Sequence, residues 1–221
     1  MDHLILGIDD AGRGPVIGPM ILAGCLVDKK TSDDFKKEGV KDSKQLTQKR
    51  REVLEIVIKE KSKGFETILI TPEEIDKGNE EGTNLNELEA IASAKIINKL
   101  NNGDKKIAVV VDCPSVSICK WTETLKMHID NLSNLEISCE HKADRNHPSV
   151  SAASILAKSE RERQVKKLKE KYGEDMGSGY PSDPLTKKFL AKNATKHKGL
   201  FRKSWKTWQK ASSESKQKKL F

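Results

Sequence analysis

Cysteines and long apolar runs are both scarce in this chain of 221 residues. Its four cysteines show neither the close pairing of a zinc motif nor the density of a small secreted protein; they are Cys25, Cys113, Cys119 and Cys139. We expect them to be small core residues in a reducing compartment. No stretch approaches the roughly eighteen apolar residues that span a bilayer, and no charged start precedes an apolar segment. These absences predict a cytoplasmic protein.

Acidic residues are outnumbered by basic ones. Lysine plus arginine number 41 against 33 aspartates plus glutamates, which gives a formal net charge of +8. This excess suits a polyanionic partner, although a well-solvated protein could have the same composition. Lysine clusters at 166–167, 187–188 and 216–219 favour a docking face near the C-terminal end. The length fits one main core, with or without a small appended element.

Two adjacent carboxylates, Asp9 and Asp10, stand where an apolar run meets a glycine-rich turn. The run Leu4–Ile8 is short and β-branched, which predicts a buried strand with Asp9 at its end. Glycines on both sides of Arg13 allow the backbone to approach a ligand and to offer it N–H groups. Carboxylates suit a hard divalent cation whose shell phosphate oxygens complete. From these residues alone, a solvated Asp pair before a tight turn is an equally good interpretation.

Strands and helices alternate along the rest of the chain. Further strands are predicted at residues 20–27, 65–70, 107–111 and 135–140. Helices are predicted at about 47–62, 85–100, 117–132 and 149–171, with a short helix from residue 71. Strands joined by helices should lie parallel. If the first and fourth strands are neighbours, Asp9 and Asp112 meet at the edge where open α/β sheets bind ligands, and Asp144 follows the fifth strand toward the same edge.

Carboxylates gathered in this way repel one another unless a cation lies among them. Two divalent ions about 3.5 to 4 Å apart would support the in-line displacement of a phosphoryl group. Because no cysteine or histidine has the spacing of a soft ligand, the pattern favours Mg²⁺ or Mn²⁺ over zinc. His141 and His147, near Asp144, are interpreted as structural or phosphate-facing. These residues assign no general base.

Five separated motifs occur in order along the chain: GIDDAGRGPVIGP (7–19), VKDSKQL (40–46), VVDC (110–113), HKADRNHPSVSAASILAK (141–158) and GSGYPSDP (177–184). Together they resemble the type 2 ribonuclease H family, ribonuclease HII, of the archaeal and eukaryotic-like branch. The resemblance implies an α/β ribonuclease H-like fold, with a central mixed five-stranded sheet flanked by helices and a C-terminal helical extension. It implies a catalytic domain over 1–175, a helical region completing the substrate cleft over 176–211, and a basic flexible tail over 212–221.

The same resemblance implies an endonuclease that hydrolyses the RNA strand of RNA:DNA hybrids and cuts 5′ of single ribonucleotides embedded in DNA. The products would carry 3′-hydroxyl and 5′-phosphate ends, and Mg²⁺ or Mn²⁺ would serve as cofactor, with two ions during catalysis. Four acids fall on the family's catalytic and metal-binding positions: Asp9, Asp10, Asp112 and Asp144. Archaeal relatives of this type generally act as single chains, which implies a monomer.

Six further residues match substrate-binding positions of the family. Gly12, Arg13 and Gly14 fall on the loop that senses the ribose 2′-hydroxyl, and Tyr180 falls on the tyrosine beside the sugar. Such a backbone loop could distinguish RNA from DNA without reading a base, because the hydroxyl both donates and accepts hydrogen bonds. Lys44 and Lys142 match positions that face phosphates, although either could equally be a solvated lysine.

Asp10 departs from the family pattern, in which the second acid of the first motif is glutamate. Its side chain is one methylene shorter, and Mg²⁺ tolerates little change in its coordination distances. Full activity with a shifted loop, a preference for Mn²⁺ and a crippled enzyme are all open. We hypothesise activity with a preference for Mn²⁺, because the other motifs are whole.

The C-terminal end carries two tryptophans and a basic tail. Trp205 and Trp208 are three residues apart, which favours packing against the main domain over base stacking. Gln217, Leu220 and Phe221 resemble the start of the motif by which replication enzymes bind the sliding clamp, and the alternative is a disordered lysine tail.

Two other functions stay open at this stage. Another metal-dependent phosphohydrolase could use the same fold and acids, since neither fixes the substrate. An RNA:DNA duplex-binding protein could carry a metal site weakened by Asp10. Binding without metal-dependent turnover would distinguish this second possibility from an enzyme.

Overall fold

The computed structural model of the protein describes residues 3–41, 46–197 and 199–217. The chain divides into two compact units whose segments interleave. The first unit comprises Met1–Ala11, Ile21–Ile68 and Asn86–Glu160. The second unit comprises Gly12–Met20, Leu69–Leu85 and Arg161–Phe221.

Five strands form one mixed sheet. They are β1 (Leu4–Ala11), β2 (Met20–Asp28), β3 (Gly64–Ile70), β4 (Ile107–Asp112) and β5 (Leu135–Glu140). Their order across the sheet is β3-β2-β1-β4-β5. Strand β1 pairs antiparallel with β2 and parallel with β4, and β4 pairs parallel with β5. The predicted mixed five-stranded sheet is therefore confirmed, as is the parallel pairing of the first and fourth strands.

Eight α-helices and one short 3-10 segment are present in the described ranges. The helices are α1 (Lys29–Lys37), α2 (Gln48–Lys61), α3 (Pro72–Glu80), α4 (Leu85–Leu100), α5 (Ile118–Met127), α6 (Pro148–Tyr172), α7 (Pro184–Asn193) and α8 (Lys206–Gln217). The 3-10 segment is Ala143–Arg145. Local chemistry sets several helix starts. Thr71 accepts a hydrogen bond from the N–H of Glu74, whose carboxylate accepts one from Thr71 in return.

The core of the first unit lies where strands meet small residues of α6. Gly7 of β1 shows how close this packing is, because a Cβ there would lie 2.2 Å from the carbonyl carbon of Ser149. Only glycine lets the helix backbone approach the strand to this distance. The buried cluster combines strand residues with alanines and larger apolar side chains of the helices: Ala11, Ile21, Ala23, Cys25, Val27, Phe35, Val40, Leu54, Ile58, Ala152, Ala153, Ile155, Leu156 and Ala157.

The second unit has its own apolar cluster, to which α7 and α8 contribute. Its buried members are Val16, Ile17, Met176, Phe189, Leu190, Ala194, Leu200 and Phe201. Trp205 and Trp208 pack against it, half-buried, so the tryptophans do pack on an apolar cluster, and that cluster belongs to the second unit. No helix among the described residues is both long and apolar enough to cross a membrane.

Four local predictions were wrong. Asp9 lies inside β1 rather than at its end, because pairing with β2 continues to Ala11. Helix α5 ends at Met127 instead of Leu132. Helix α1 was not predicted, since Ser32 and Phe35 are its only buried residues and the rest of its sequence is mostly charged. Not every cysteine is a core residue, since the structure leaves one exposed and one half-buried, Cys119 and Cys139 respectively.

Candidate active site

Three of the predicted acids line one small pocket of the first unit: Asp9, Asp10 and Asp112. The register of the parallel pair explains this arrangement, because Ile8 of β1 lies opposite Val111 of β4. Asp9 and Asp112, the next residue on each strand, therefore lie at the same level just past the β1–β4 register. Strand pairing thus brings together carboxylates that are about a hundred positions apart in the sequence.

Burial and charge both act on Asp9. Its side chain is only 6% exposed. Burial raises the pKa of this carboxyl well above its usual value, and the neighbouring charges of Asp10 and Asp112 raise the pKa further. Hydrogen bonds from the Ser154 hydroxyl and from the Asp10 N–H, which lies 2.7 Å from Oδ1, act in the opposite direction. A cation among these acids would favour the ionised form of Asp9.

Asp144 is held in the same unit by backbone contacts of its own segment. The N–H of Ala143 donates to Oδ1 of Asp112 at 3.1 Å, which ties the 3-10 segment to the end of β4. The hydroxyl of Ser151 donates to the carbonyl oxygen of Asp144 at 2.6 Å. Lys142 enters the segment with a left-handed φ of 60°, and its side chain is exposed. The fourth acid is therefore buried and directly follows a residue bonded to Asp112, but it does not line the pocket of the other three acids.

The side chains as they stand do not close around an ion. Across residues 3–41, 46–197 and 199–217, no three histidine, cysteine or carboxylate side chains converge as metal ligands would. The donor chemistry nevertheless fits a hard divalent cation, because all four acids offer only oxygen. The burial of Asp9 beside the charges of Asp10 and Asp112 also fits, since a cation would offset both.

The two nearby histidines have structural partners. Nδ1 of His141 lies 2.9 Å from the carbonyl oxygen of Cys113. Nε2 of His147 lies 3.0 Å from Oε2 of Glu140. The hydroxyl of Ser138 and then His147 lower the pKa of Glu140. These contacts agree with the structural interpretation of both histidines.

The glycine-arginine-glycine turn belongs to the second unit, where it lies beside Tyr180. Gly12 has a φ of 87°, and a Cβ there would lie 2.3 Å from Nε of Arg161. A Cβ on Gly14 would lie 3.4 Å from the ring of Tyr180. The guanidinium carbon of Arg161 lies 5.7 Å from the centre of that ring, which is 43% exposed. The structure thus brings together three predicted ribose-sensing residues and the predicted tyrosine.

Arg202 is a residue of this region that the sequence did not reveal. Its guanidinium donates to the carbonyl oxygens of Gly12, Arg13 and Gly18 at 2.6, 2.8 and 3.1 Å. The indole Nε1 of Trp205 donates to the carbonyl oxygen of Gly14 at 3.3 Å. The sequence signal that could have revealed Arg202 is its position directly after the apolar pair Leu200–Phe201. A charged side chain that is buried with such a pair needs a hydrogen-bonding partner.

Glu89 and Trp121 were also missed, although both line the pocket of the three acids. Glu89 is 1% exposed and lies on α4, which the apolar spacing had assigned to packing. The sequence signal that could have revealed Glu89 is its helical spacing from Ser93 and Ile96, which puts all three on the buried face of that helix. Two predicted sites fall elsewhere: Lys44 lies outside the described residues, as do Leu220 and Phe221, while Gln217 is the last residue of α8.

Comparisons with known proteins point in one direction. The family model described as Ribonuclease HII matches residues 6–208. A Ribonuclease HII of Methanococcus maripaludis is 42% identical over 221 residues, which cover 99% of this chain and 91% of the relative. The crystal structure of the ribonuclease H2 from Pyrococcus horikoshii OT3 has a TM-score of 0.85 at 37% identity, covering 96% of this chain and 99% of that chain. The structure of the PCNA:RNase HII complex from Archaeoglobus fulgidus contains a chain with a TM-score of 0.80 at 38% identity, covering 92% and 95%.

Proposed function

Because the chain belongs to the ribonuclease HII family and is therefore an endoribonuclease acting on RNA:DNA hybrids, we propose that four of its acids hold the cations for hydrolysis. These acids are Asp9, Asp10, Asp112 and Asp144. The observation that carries the proposal is the pocket in which the parallel strands β1 and β4 gather three of them. Members of the family depend on a divalent metal, and we propose two ions, Mg²⁺ or Mn²⁺, during catalysis.

Asp9, Asp10, Asp112 and Asp144 would hold these ions, and the chemistry supplied there would be activation of a water molecule and stabilisation of negative charge on the leaving oxygen. The protein's part is to hold the carboxylates ionised and oriented. For Asp9 this is the role of the Asp10 N–H and the Ser154 hydroxyl, both of which favour the ionised form. For Asp112 the N–H of Ala143 fixes one carboxylate oxygen.

We propose that the second unit recognises the ribose. Gly12, Arg13 and Gly14 offer a backbone whose amides can contact a 2′-hydroxyl, and Tyr180 lies beside Gly14 with an exposed ring that can pack on a sugar. Lys142 is exposed next to the 3-10 segment and suits a backbone phosphate. With the turn, Tyr180 and Lys142 contacting the substrate in this way, the enzyme would also cut 5′ of a single ribonucleotide in DNA.

The test is hydrolysis of an end-labelled RNA:DNA hybrid by the wild-type protein and by Asp112→Asn, with Mg²⁺, with Mn²⁺ and with a chelator. We expect cleavage that needs a cation and falls by at least ~100-fold in the variant. A matched control is Glu140→Gln, which neutralises the acid opposite Asp112 on β5. Undiminished cleavage by Asp112→Asn, or cleavage in chelator, would overturn the assignment of the acids.

We further propose that the end of the chain binds a sliding clamp. The support is the resemblance of Gln217, Leu220 and Phe221 to the start of a clamp-binding motif, together with the relative of known structure in a PCNA complex.

A further inference from the structure

Arg202 is a charged side chain with no exposed surface, in the second unit. Burying a cation is costly unless hydrogen bonds replace the lost water. Here the replacement comes from carbonyl oxygens of one short loop, those of Gly12, Arg13 and Gly18. The arginine therefore contacts both ends of the turn between Gly12 and Gly18.

These contacts decide which way the turn's amides face. All peptide bonds in the described part of the chain are trans, so each carbonyl points opposite to the N–H of the residue that follows. The Gly12 carbonyl points at Arg202, which directs the N–H of Arg13 away from it. The Arg13 carbonyl also points at Arg202, which directs the N–H of Gly14 away from it. One guanidinium thus turns two consecutive amide donors away from itself.

Two aromatic contacts support the arginine and the turn. The ring of Trp205 lies 5.1 Å from the guanidinium carbon of Arg202, and its Nε1 donates to the carbonyl oxygen of Gly14. On another side of Gly12 lies Arg161, whose guanidinium also lies over the ring of Tyr180. Both arginines therefore contact the turn, and Arg161 also contacts Tyr180.

We propose that Arg202 is a positioning residue for ribonucleotide specificity. By holding the carbonyls of Gly12 and Arg13, it aims the N–H groups of Arg13 and Gly14 at the ribose 2′-hydroxyl. This inference rests on the proposed function of the turn. Arg202 itself touches neither the substrate nor the reacting atoms.

Arginine suits this role better than lysine does. Its planar guanidinium carries five donors in a fixed fork and can bond several carbonyls at once. A lysine ammonium keeps the charge but holds no comparable fork. Arg202→Lys therefore separates the charge of the side chain from its geometry.

The experiment compares two duplexes that differ by one hydroxyl group. Cleavage kinetics on a DNA duplex with one ribonucleotide give kcat/KM, and the all-DNA duplex of the same sequence, used as a competitive inhibitor, gives its Ki. For Arg202→Lys we expect kcat/KM to fall by about tenfold, as for loss of hydrogen bonds made by a charged group. The Ki should stay within about twofold of the wild-type value, because binding to the phosphates is driven by charge.

A second pair of variants decides the matter if Arg202→Lys does not fold, which thermal unfolding would show. Trp205→Phe removes the donor to Gly14, whereas Trp208→Phe removes an equivalent donor, 3.0 Å from the Ala194 carbonyl oxygen, in the same apolar cluster. We expect a loss of specificity in Trp205→Phe alone.

Three outcomes would overturn the inference. The first is a folded Arg202→Lys protein with wild-type specificity, and the second is an equal fall in kcat/KM and in the affinity for the all-DNA duplex. The third is equal specificity in the two tryptophan variants. If the wild-type protein itself fails to cut at the ribonucleotide, the proposed function of the turn fails first, which separates that failure from the failure of the Arg202 role alone.

Discussion

Asp10 is the residue at which, by the resemblance of its first motif, this chain has aspartate where glutamate is expected. The residue lines the pocket with Asp9 and Asp112 and is half-buried. A carboxylate one methylene shorter reaches less far from the same strand. Mg²⁺ needs nearly ideal octahedral distances of about 2.0–2.1 Å, so it is the cation most affected by the shortening.

We therefore predict that the wild-type enzyme is more active with Mn²⁺ than with Mg²⁺, and that Asp10→Glu shifts this ratio toward Mg²⁺ by several-fold. The measurement is the cleavage rate as a function of metal concentration for both proteins. Asp130→Glu lengthens an exposed aspartate and should leave the ratio unchanged. If the curves of cleavage rate against metal concentration coincide for the wild type and Asp10→Glu with both metals, the predicted preference for Mn²⁺ is contradicted.

Residues that act through local pattern could be predicted, whereas residues that act through long-range contact could not. Asp9 and Asp112 each follow a recognisable apolar run, so the sequence predicted that they meet, although β1 continues past Asp9 to Ala11. Arg202 contacts a turn some 190 positions earlier in the chain, and no periodicity connects the two. Glu89 was hidden for a related reason, because its helix satisfies an apolar pattern without it.

At the scale of elements, the contact between β1 and α6 positions the acids. Helix α6 carries Ser154, which donates to Asp9, and Ser151, which holds the Asp144 segment. The helix can lie this close only because residue 7 has no side chain. The sequence predicted a long helix here, at about residues 149–171, but it did not show which strand the helix covers.

Gly7→Ala should therefore destabilise the protein by about 1–3 kcal/mol, because the added Cβ meets helix backbone that cannot rotate away. Denaturant unfolding at neutral pH measures the change. Gly64→Ala is the matched control, since a Cβ there would lie 3.2 Å from one methyl of Leu100, a side chain that can move. Equal stability of Gly7→Ala and wild type would contradict the described packing.

Asp183 makes the start of α7 sensitive to acid. Its carboxylate accepts hydrogen bonds from the hydroxyl and N–H of Ser178 at 2.7 and 2.6 Å, and from the N–H of Leu185 at 2.9 Å. These bonds, those from Ser178 above all, lower the pKa of Asp183 from 3.8 to about 2. A lowered carboxyl pKa stabilises the folded state above the ordinary value, and this contribution is lost as the pH falls through the folded value.

We predict that the melting temperature of the wild type falls between about pH 4 and pH 2 by more than that of Asp183→Asn, which has no carboxyl there to titrate. At neutral pH the variant should melt several degrees lower, because the cap at Leu185 is weakened. Asp130→Asn removes an exposed carboxyl of the first unit and should keep the wild-type profile. An identical pH dependence of Asp183→Asn and wild type would contradict this role.

At the scale of the whole molecule, the net charge bears on the class of partner. The net charge of +8 agrees with a nucleic-acid substrate but does not select one. The mixed five-stranded sheet was predictable because its strands are short and strongly apolar, and because the motifs resembled one family. The interleaving of the two units along the chain was not, since Gly12–Met20 is surrounded in sequence by the first unit and belongs to the second.

The clamp proposal also belongs to this scale. Deleting the last five residues, which include Leu220 and Phe221, should reduce capture of the cognate sliding clamp by about tenfold or more, because hydrophobic anchors dominate such contacts. Cleavage of a short hybrid without clamp should not change, which serves as the control for folding. Unchanged capture by the truncated protein would exclude this site.

The proposed function is tested most directly by mapping the cut in an end-labelled DNA duplex that contains one ribonucleotide. The four acids and the ribose-sensing turn together predict a single cut immediately 5′ of the ribonucleotide, with 3′-hydroxyl and 5′-phosphate ends. Cutting should require a divalent cation and be absent in Asp112→Asn. Tight binding of the duplex without cleavage under Mg²⁺ or Mn²⁺ would contradict the account and identify a duplex-binding protein instead.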